Sequence, residues 1–325
     1  MNRAWSSFWI GALLLGALSP GRECGAGETD QFMTWGVELK DSAEPLNAFF
    51  NERIEAYLDR VNSQAPRITE EDELTRRIFQ HFFGGLFSST MRSWLHESSE
   101  IDRFPTDEVS DWTYQRQSIL RGFHFPFLLP MAQTIRIGEV YLGIDKIGHF
   151  FGFGRRYYQR YQRYVDAGLT EAEAEEKMIQ WGLFHESYTV GGLVDGIFSK
   201  GDLEANYQGF RLARALCGGA APHIVNRNGA WVLTRPVDLR DYVTPWFDES
   251  YNVSLFTQGR WDRVRKVYTE EYCVNRNHDT VQERFHRYAA WEPSLAQRMA
   301  EQYIGEQYPQ LQAIQNLNGL CDETR

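Results

Sequence analysis

Residues 143–167 read GIDKIGHFFGFGRRYYQRYQRYVDA, and the reading of this stretch decides the fold. We read it as one long helix. Its interior carries Arg155, Arg156, Arg160 and Arg163, so it is not a lipid-soluble span. Asp145 and His149 are four residues apart, which puts both side chains on one helical face. Tyr157, Tyr158, Tyr161 and Tyr164 alternate with the arginines. They make either a membrane-surface or ligand face, or the inner side of a half-buried helix whose basic side is solvated; the second is the preferred reading. Gly148 and Gly152 are read as close helix contacts. Gly152-Phe153-Gly154 lacks a third glycine at the spacing of a nucleotide fingerprint and has no preceding strand.

Working outward, a second helix covers 170–194, where Thr170 and Glu173 have the spacing of a capping box. Gly191-Gly192 bends or ends it. Residues 199–201 form a turn, and Asp202 opens a helix to 216. Upstream, Leu46, Phe49, Phe50, Ile54, Tyr57, Leu58 and Val61 recur at three- and four-residue steps, the period of an amphipathic helix. A further helical stretch over 70–97 has Thr69 as its expected N-cap and a break or kink at Gly84-Gly85. Residues 28–41 read as extended or irregular, 101–111 as a polar linker, 112–122 as a short helix, 123–130 as an apolar loop, and 131–140 as a strand or a helical turn. Residues 222–254, rich in Gly, Pro, Asn and β-branched types, read as loops with one hairpin. Helices resume over 258–272, 280–291 and 294–308. There is no internal repeat. The fold class is therefore mainly α: a single soluble helical domain over 27–325 with a loop-rich segment and one short β-hairpin.

The candidate site lies between 145 and 209. Asp145 and His149 share one helix face; Glu186 sits mid-helix among apolar neighbours; Asp202, Asn206 and Gly209 follow at steps of four and three, with Ser199 three residues before Asp202. Three helices can thus aim polar groups at one spot, where a carboxylate would hold the histidine in one tautomer or raise its pKa. Two readings follow. One is a buried polar network that locks helix packing. The other is a catalytic or metal-binding cluster of Asp145, His149, Glu186, Asp202 and Asn206. No His-Glu-x-x-His motif supports a metal, and no Gly-x-Ser-x-Gly motif supports a serine hydrolase, so metal and cofactor stay unassigned. His185, His278 and His286 are read as structural or surface groups.

The order Asp-Lys-x-x-His-Phe, a later helical Glu, then Ser-x-x-Asp-x-x-x-Asn-x-x-Gly resembles the VanZ-like and YfiM-type predicted periplasmic lipoprotein families. The resemblance spans about residues 145–209, within a core of about 143–216. It places Asp145, Lys146, His149, Glu186, Asp202, Asn206 and Gly209 on the recurring polar positions of a small helical bundle. It implies an envelope location and a site; it implies no reaction. The arginines of the helix depart from the membrane-spanning character of the VanZ-like proteins.

Location has its own signal. Asn2 and Arg3 precede an apolar run over 8–18, which Ser19, Pro20 and Gly21 break. That run is too short to cross a bilayer, and the three zones describe a secretory signal over 1–26, cut near Ala26 or Gly27. Residues 21–24 make a poor lipoprotein box, because Arg22 and Glu23 stand where small residues are needed. A retained N-terminal anchor is the alternative. The net charge of −10 argues against nucleic acid as a partner, which leaves an envelope partner, a peripheral membrane contact or an unidentified small-molecule substrate. Export makes a disulfide plausible among Cys217, Cys273 and Cys321, without choosing the pair. The function expected is an exported envelope protein with a structural or partner-binding cluster. The alternative is an envelope lipid- or glycan-directed hydrolase or transferase with His149 as general base, oriented by Asp145 or Asp202.

Overall fold

The computed structural model describes residues 28–83, 90–121, 131–188, 196–315 and 317–323. The expected signal segment, Cys24, Gly84-Gly85, the 123–130 loop and Gly191-Gly192 lie outside them. The fold is mainly helical. Helices α1 (Ala43–Ser63), α2 (Glu71–Phe83), α3 (Thr90–Glu97) and α4 (Asp111–Gln117) lead into a hairpin of β1 (Thr134–Ile137) and β2 (Val140–Gly143). The long α5 (Ile144–Asp166) follows without a break, then α6 (Glu171–Tyr188), β3 (Ile197–Phe198) and α7 (Lys200–Cys217). A second hairpin joins β4 (Ile224–Arg227) to β5 (Ala230–Leu233), and β6 (Leu255–Phe256) returns to pair with β3. Helix α8 (Gln258–Val267) runs into a π-turn over Tyr268–Tyr272, and α9 (Asp279–Tyr288), α10 (Leu295–Gln307), α11 (Pro309–Ile314) and α12 (Leu317–Glu323) complete the described chain. Among the described residues no helix is long and apolar enough to cross a membrane.

Helix α5 is the centre, packed by α2, α6 and α7. It is buried by the side that carries Ile147, Phe150, Phe151, Tyr157, Tyr158 and Tyr161. The rings of Phe50 from α1, Phe82 from α2 and Phe151 meet at centroid distances of 4.5–5.5 Å. Each such buried ring contributes roughly 1.5–3 kcal/mol. Tyr157, Tyr158 and Tyr161 of α5 are therefore core, and Tyr164 is half-buried against it: Tyr158 donates to Asp72 at 2.5 Å, and Tyr161 packs on Phe210. A membrane- or ligand-facing tyrosine stripe is ruled out, because the basic residues between them take the solvent side, with Arg156 and Arg163 exposed. A second apolar cluster gathers Phe32, Trp35, Trp261, Val264 and Tyr268, and Phe285 touches both clusters.

Local signals place most ends. Thr170 and Glu173 form the reciprocal capping box, with the Thr170 backbone N–H donating to Glu173 at 2.9 Å and the Glu173 N–H to the Thr170 hydroxyl at 3.3 Å. Thr69, the expected cap of α2, instead donates its hydroxyl to the Glu70 carboxylate, and the helix begins at Glu71. Helix α7 starts at Lys200, two residues before Asp202, because Ser199 is its N-cap and accepts from the Asp202 N–H at 3.0 Å. Two hairpins form where one was expected. Asn228 and Gly229 both have positive φ, the two-residue turn that matches strand twist; Gly138, also at positive φ, turns the other.

The segment read as extended or irregular before α1 is so apart from one 3-10 turn, and it is embedded in the fold. Thr29, Asp30 and Gln31 are buried around a 3-10 turn. The Asp30 carboxylate accepts from the N–H groups of Phe32 and Ile119 and from the Tyr272 hydroxyl, tying three distant segments. Burial pushes its pKa up to about 6, against those hydrogen bonds. Cys273 and Cys321 form a disulfide, which clips α12 to the end of the π-turn; Cys217 stays a buried thiol.

Candidate functional site

The site is built where α5 and α7 run side by side. A Cβ placed on Gly154 would come within 2.7 Å of the Gly209 Cα, and one on Gly209 within 1.9 Å of the Phe150 carbonyl oxygen. Only glycine at both positions allows this approach. It faces Lys146 and His149 of α5 toward Asp202 and Asn206 of α7. Asp145 and Asp202 lie in the first turns of their helices, where the partial positive charge of the terminus favours a carboxylate.

Lys146 is the hub. It is fully buried, and its Nζ lies 2.7 Å from Asp145 Oδ2, 2.7 Å from Asp202 Oδ1 and 3.1 Å from Glu249 Oε2. It donates to Asp145 and Asp202, and Glu249 completes the ring of carboxyl groups as an ion-pair neighbour. Burial alone would lower the lysine pKa, but the surrounding carboxylates raise it well above its ordinary value. The outer oxygens are also engaged. Thr29 donates to Asp145 Oδ1 at 2.5 Å, while Ser199 and Ser254 donate to Glu249 Oε1 at 2.6 and 3.2 Å. The Ser199 N–H donates to Glu186 Oε1 at 3.2 Å. Gln31 accepts from the Glu249 N–H at 3.1 Å. The Glu249 loop is itself held by Asp248, buried with Arg284 at 3.6 Å and Tyr288 at 3.3 Å.

His149 closes the network toward α7. Its Nε2 lies 3.3 Å from Asp202 Oδ2 and its Nδ1 lies 3.2 Å from Asn206 Oδ1. Burial raises the Asp202 pKa, but His149 and Lys146 outweigh it and hold the carboxyl below its usual range. Glu249 goes the other way: burial, with Asp202 and Asp145 nearby, pushes it up to about 7 despite Lys146. Glu28, at the edge of the cluster, is likewise raised well above its usual value by burial and Asp202. A cavity of about 30 Å³ lies against Glu28 and Glu249, the space one water takes in the liquid.

Asp145, His149, Asp202 and Asn206 therefore meet around Lys146, with one change of partner, and Glu186 joins at the Ser199 N–H. Asp145 shares a helix face with His149 yet pairs with Lys146 and Thr29; Asp202 is the carboxylate that holds the imidazole. Lys146, named only through the resemblance, is central. Glu249 and Thr29 were missed. Glu249 lies in a loop-rich segment 103 positions after Lys146, and no local pattern points to it. Among the described residues no three His, Cys, Asp or Glu side chains are arranged to hold a metal ion; the Lys146 ammonium stands where the carboxylates converge.

The outer face of His149 is aromatic and basic. Its ring stacks on Phe153 at 5.3 Å, Arg156 lies over Phe153 at 4.7 Å, and Arg160 over Trp181 at 4.5 Å. His185 packs against both Phe153 and Trp181, and burial with the two arginines lowers its pKa. His278 caps α9 at the surface, and His286 is exposed. No family model, curated protein or solved structure matches this chain.

Proposed function

We propose that this chain is an exported envelope protein, related to the VanZ-like and YfiM-type pattern, whose charged cluster is a packing keystone rather than a catalytic centre. One observation carries the reading: the buried Lys146 ammonium donates to Asp145 of α5 and Asp202 of α7 and lies 3.1 Å from Glu249 of the 249 loop, so it joins three segments. His149 fits the same role, since its ring nitrogens lie 3.3 Å from Asp202 Oδ2 and 3.2 Å from Asn206 Oδ1 and tie α5 to α7. Ser199 is 1 % exposed and uses its hydroxyl both to cap α7 and to bind Glu249, so it is a positioning group and not a nucleophile. Export is supported by the three-zone N-terminus and by the Cys273–Cys321 disulfide, which suits an oxidising compartment. The acidic charge supports a partner other than nucleic acid, on the envelope or at its membrane surface.

The second reading, a hydrolase or transferase acting on an envelope lipid or glycan through His149, draws on one feature. His149 is the least buried member of its ion pair, with 13 % of its side chain exposed beside an aromatic and basic face. Chemical denaturation of His149→Ala separates the two. The keystone reading expects a loss of about 1–3 kcal/mol from the stranded Asp202 and Asn206 groups. Unchanged stability together with loss of hydrolysis of envelope phospholipids or glycans would replace it with the enzymatic one. Cell fractionation and N-terminal sequencing of the mature chain test export; a protein that starts at Met1 in the cytoplasm refutes it.

A further inference from the structure

We propose that a second place in the molecule, away from the charged cluster, is a binding site for a neutral, ring-shaped, polyhydroxylated ligand of monosaccharide size. It is a cavity of about 280 Å³ between the strand segment before α8, the π-turn, α9, α10 and the last two helices. That space corresponds to roughly nine waters and sits at the small end of ligand pockets. Tyr251, Tyr268 and Phe285 supply an aromatic wall, with Tyr251 and Phe285 edge to face at 5.2 Å. Aromatic rings offer a flat apolar surface to the C–H face of a sugar.

The polar groups select further. The hydroxyls of half-buried Tyr251 and of Tyr268 and the amide of exposed Gln312 border the cavity and make no hydrogen bond among the described residues. Donors and acceptors left unpaired around a cavity suit a ligand that carries both, as a hydroxyl does. The cavity's charged pair, Lys200 and Glu301, is joined at 2.9 Å and cancels, so no net charge is offered to an ionic ligand. Leu317 of α12 completes the wall, and the Cys273–Cys321 disulfide holds that helix against the π-turn. The site is thus framed before any ligand enters, which lowers the ordering cost of binding. None of Asp145, Lys146, His149, Asp202 or Glu249 lines it, so it does not depend on the role of the cluster.

Titration calorimetry on the full mature chain, with glucose and N-acetylglucosamine as neutral probes and glucuronate as the charged comparator, tests the proposal. Tyr268→Phe and Gln312→Ala are the variants, because each removes polar atoms without emptying the core. The expected result is saturable binding of at least one neutral sugar, weakened about three- to tenfold by each variant while the melting temperature holds. Three results would overturn it: no saturable binding of either neutral sugar, binding that both variants leave unchanged, or tighter binding of glucuronate than of both neutral sugars.

Discussion

Replacing Lys146 by methionine keeps most of the side-chain volume and removes the charge. In the native protein Nζ lies within 3.1 Å of Asp145, Asp202 and Glu249, and the side chain is fully buried. The variant leaves three carboxylates facing one another in a poorly solvated space. Removing one partner of a buried ion pair costs about 3–5 kcal/mol, and here three carboxyl groups lose their shared cation, so the upper part of that range is expected near pH 8, above the Glu249 value of about 7. The penalty belongs to ionised carboxylates. It should shrink as the pH falls from about 8 toward about 5, through the region near 7 where Glu249 takes up a proton, and it should shrink again when Asp202→Asn and Glu249→Gln are added. Urea unfolding followed by tryptophan fluorescence reads all of these. A loss below about 1 kcal/mol, or a loss that is the same at both pH values, would refute the keystone argument, because the amine would then not be neutralising those carboxylates.

The pH profile of the wild type carries its own sign. Glu249 at about 7 and Asp30 at about 6 both bind protons more tightly folded than unfolded. Their contribution is complete below their ordinary values and is lost as the pH rises through 6 and 7, so the protein should be about 2–4 kcal/mol more stable near pH 5 than near pH 8. Asp202 has the opposite sign, being held low, and its contribution is lost as the pH falls below the usual carboxylate range; a flat profile in urea melts between those limits would contradict these assignments. Gly209→Ala should cost about 3 kcal/mol or more, since its Cβ would meet the Phe150 carbonyl oxygen at 1.9 Å and drive α5 from α7; a melting temperature within a degree or two of wild type would show that the helices do not approach so closely. Opening the Cys273–Cys321 bridge, whose ends are 48 positions apart, removes about 4 kcal/mol on loop entropy alone. Unfolding of the Cys273→Ser, Cys321→Ser variant measures it, and mass analysis of the intact chain that finds free thiols at both positions removes the premise.

The charged cluster divides cleanly into what local pattern reveals and what it hides. Asp145 and His149 on one helix, and Asp202 and Asn206 on another, are at four-residue steps, so helical geometry alone puts each pair on one face. What no spacing reveals is that the faces meet, because the approach depends on Gly154 lying against Gly209. Asp145 shows the limit from the other side: it has the right face for His149, yet the lysine beside it and Thr29 from the N-terminal segment claim its oxygens.

By itself the sequence determined the helices with clear apolar periodicity, the capping box at Thr170, the acidic balance and the grouping of polar residues by helix face. These are short-range consequences of a 3.6-residue repeat and of side-chain hydrogen bonds that span three or four positions. Tertiary structure alone decided that Lys146 is buried, that Glu249 and Thr29 complete its cage, that the tyrosines of α5 point inward and that Cys273 pairs with Cys321. Each of the three pairings joins residues 48 or more positions apart, and which face of α5 turns inward depends on the helices packed against it. The free energy of desolvating a charge is set by the whole surroundings and not by its neighbours in sequence.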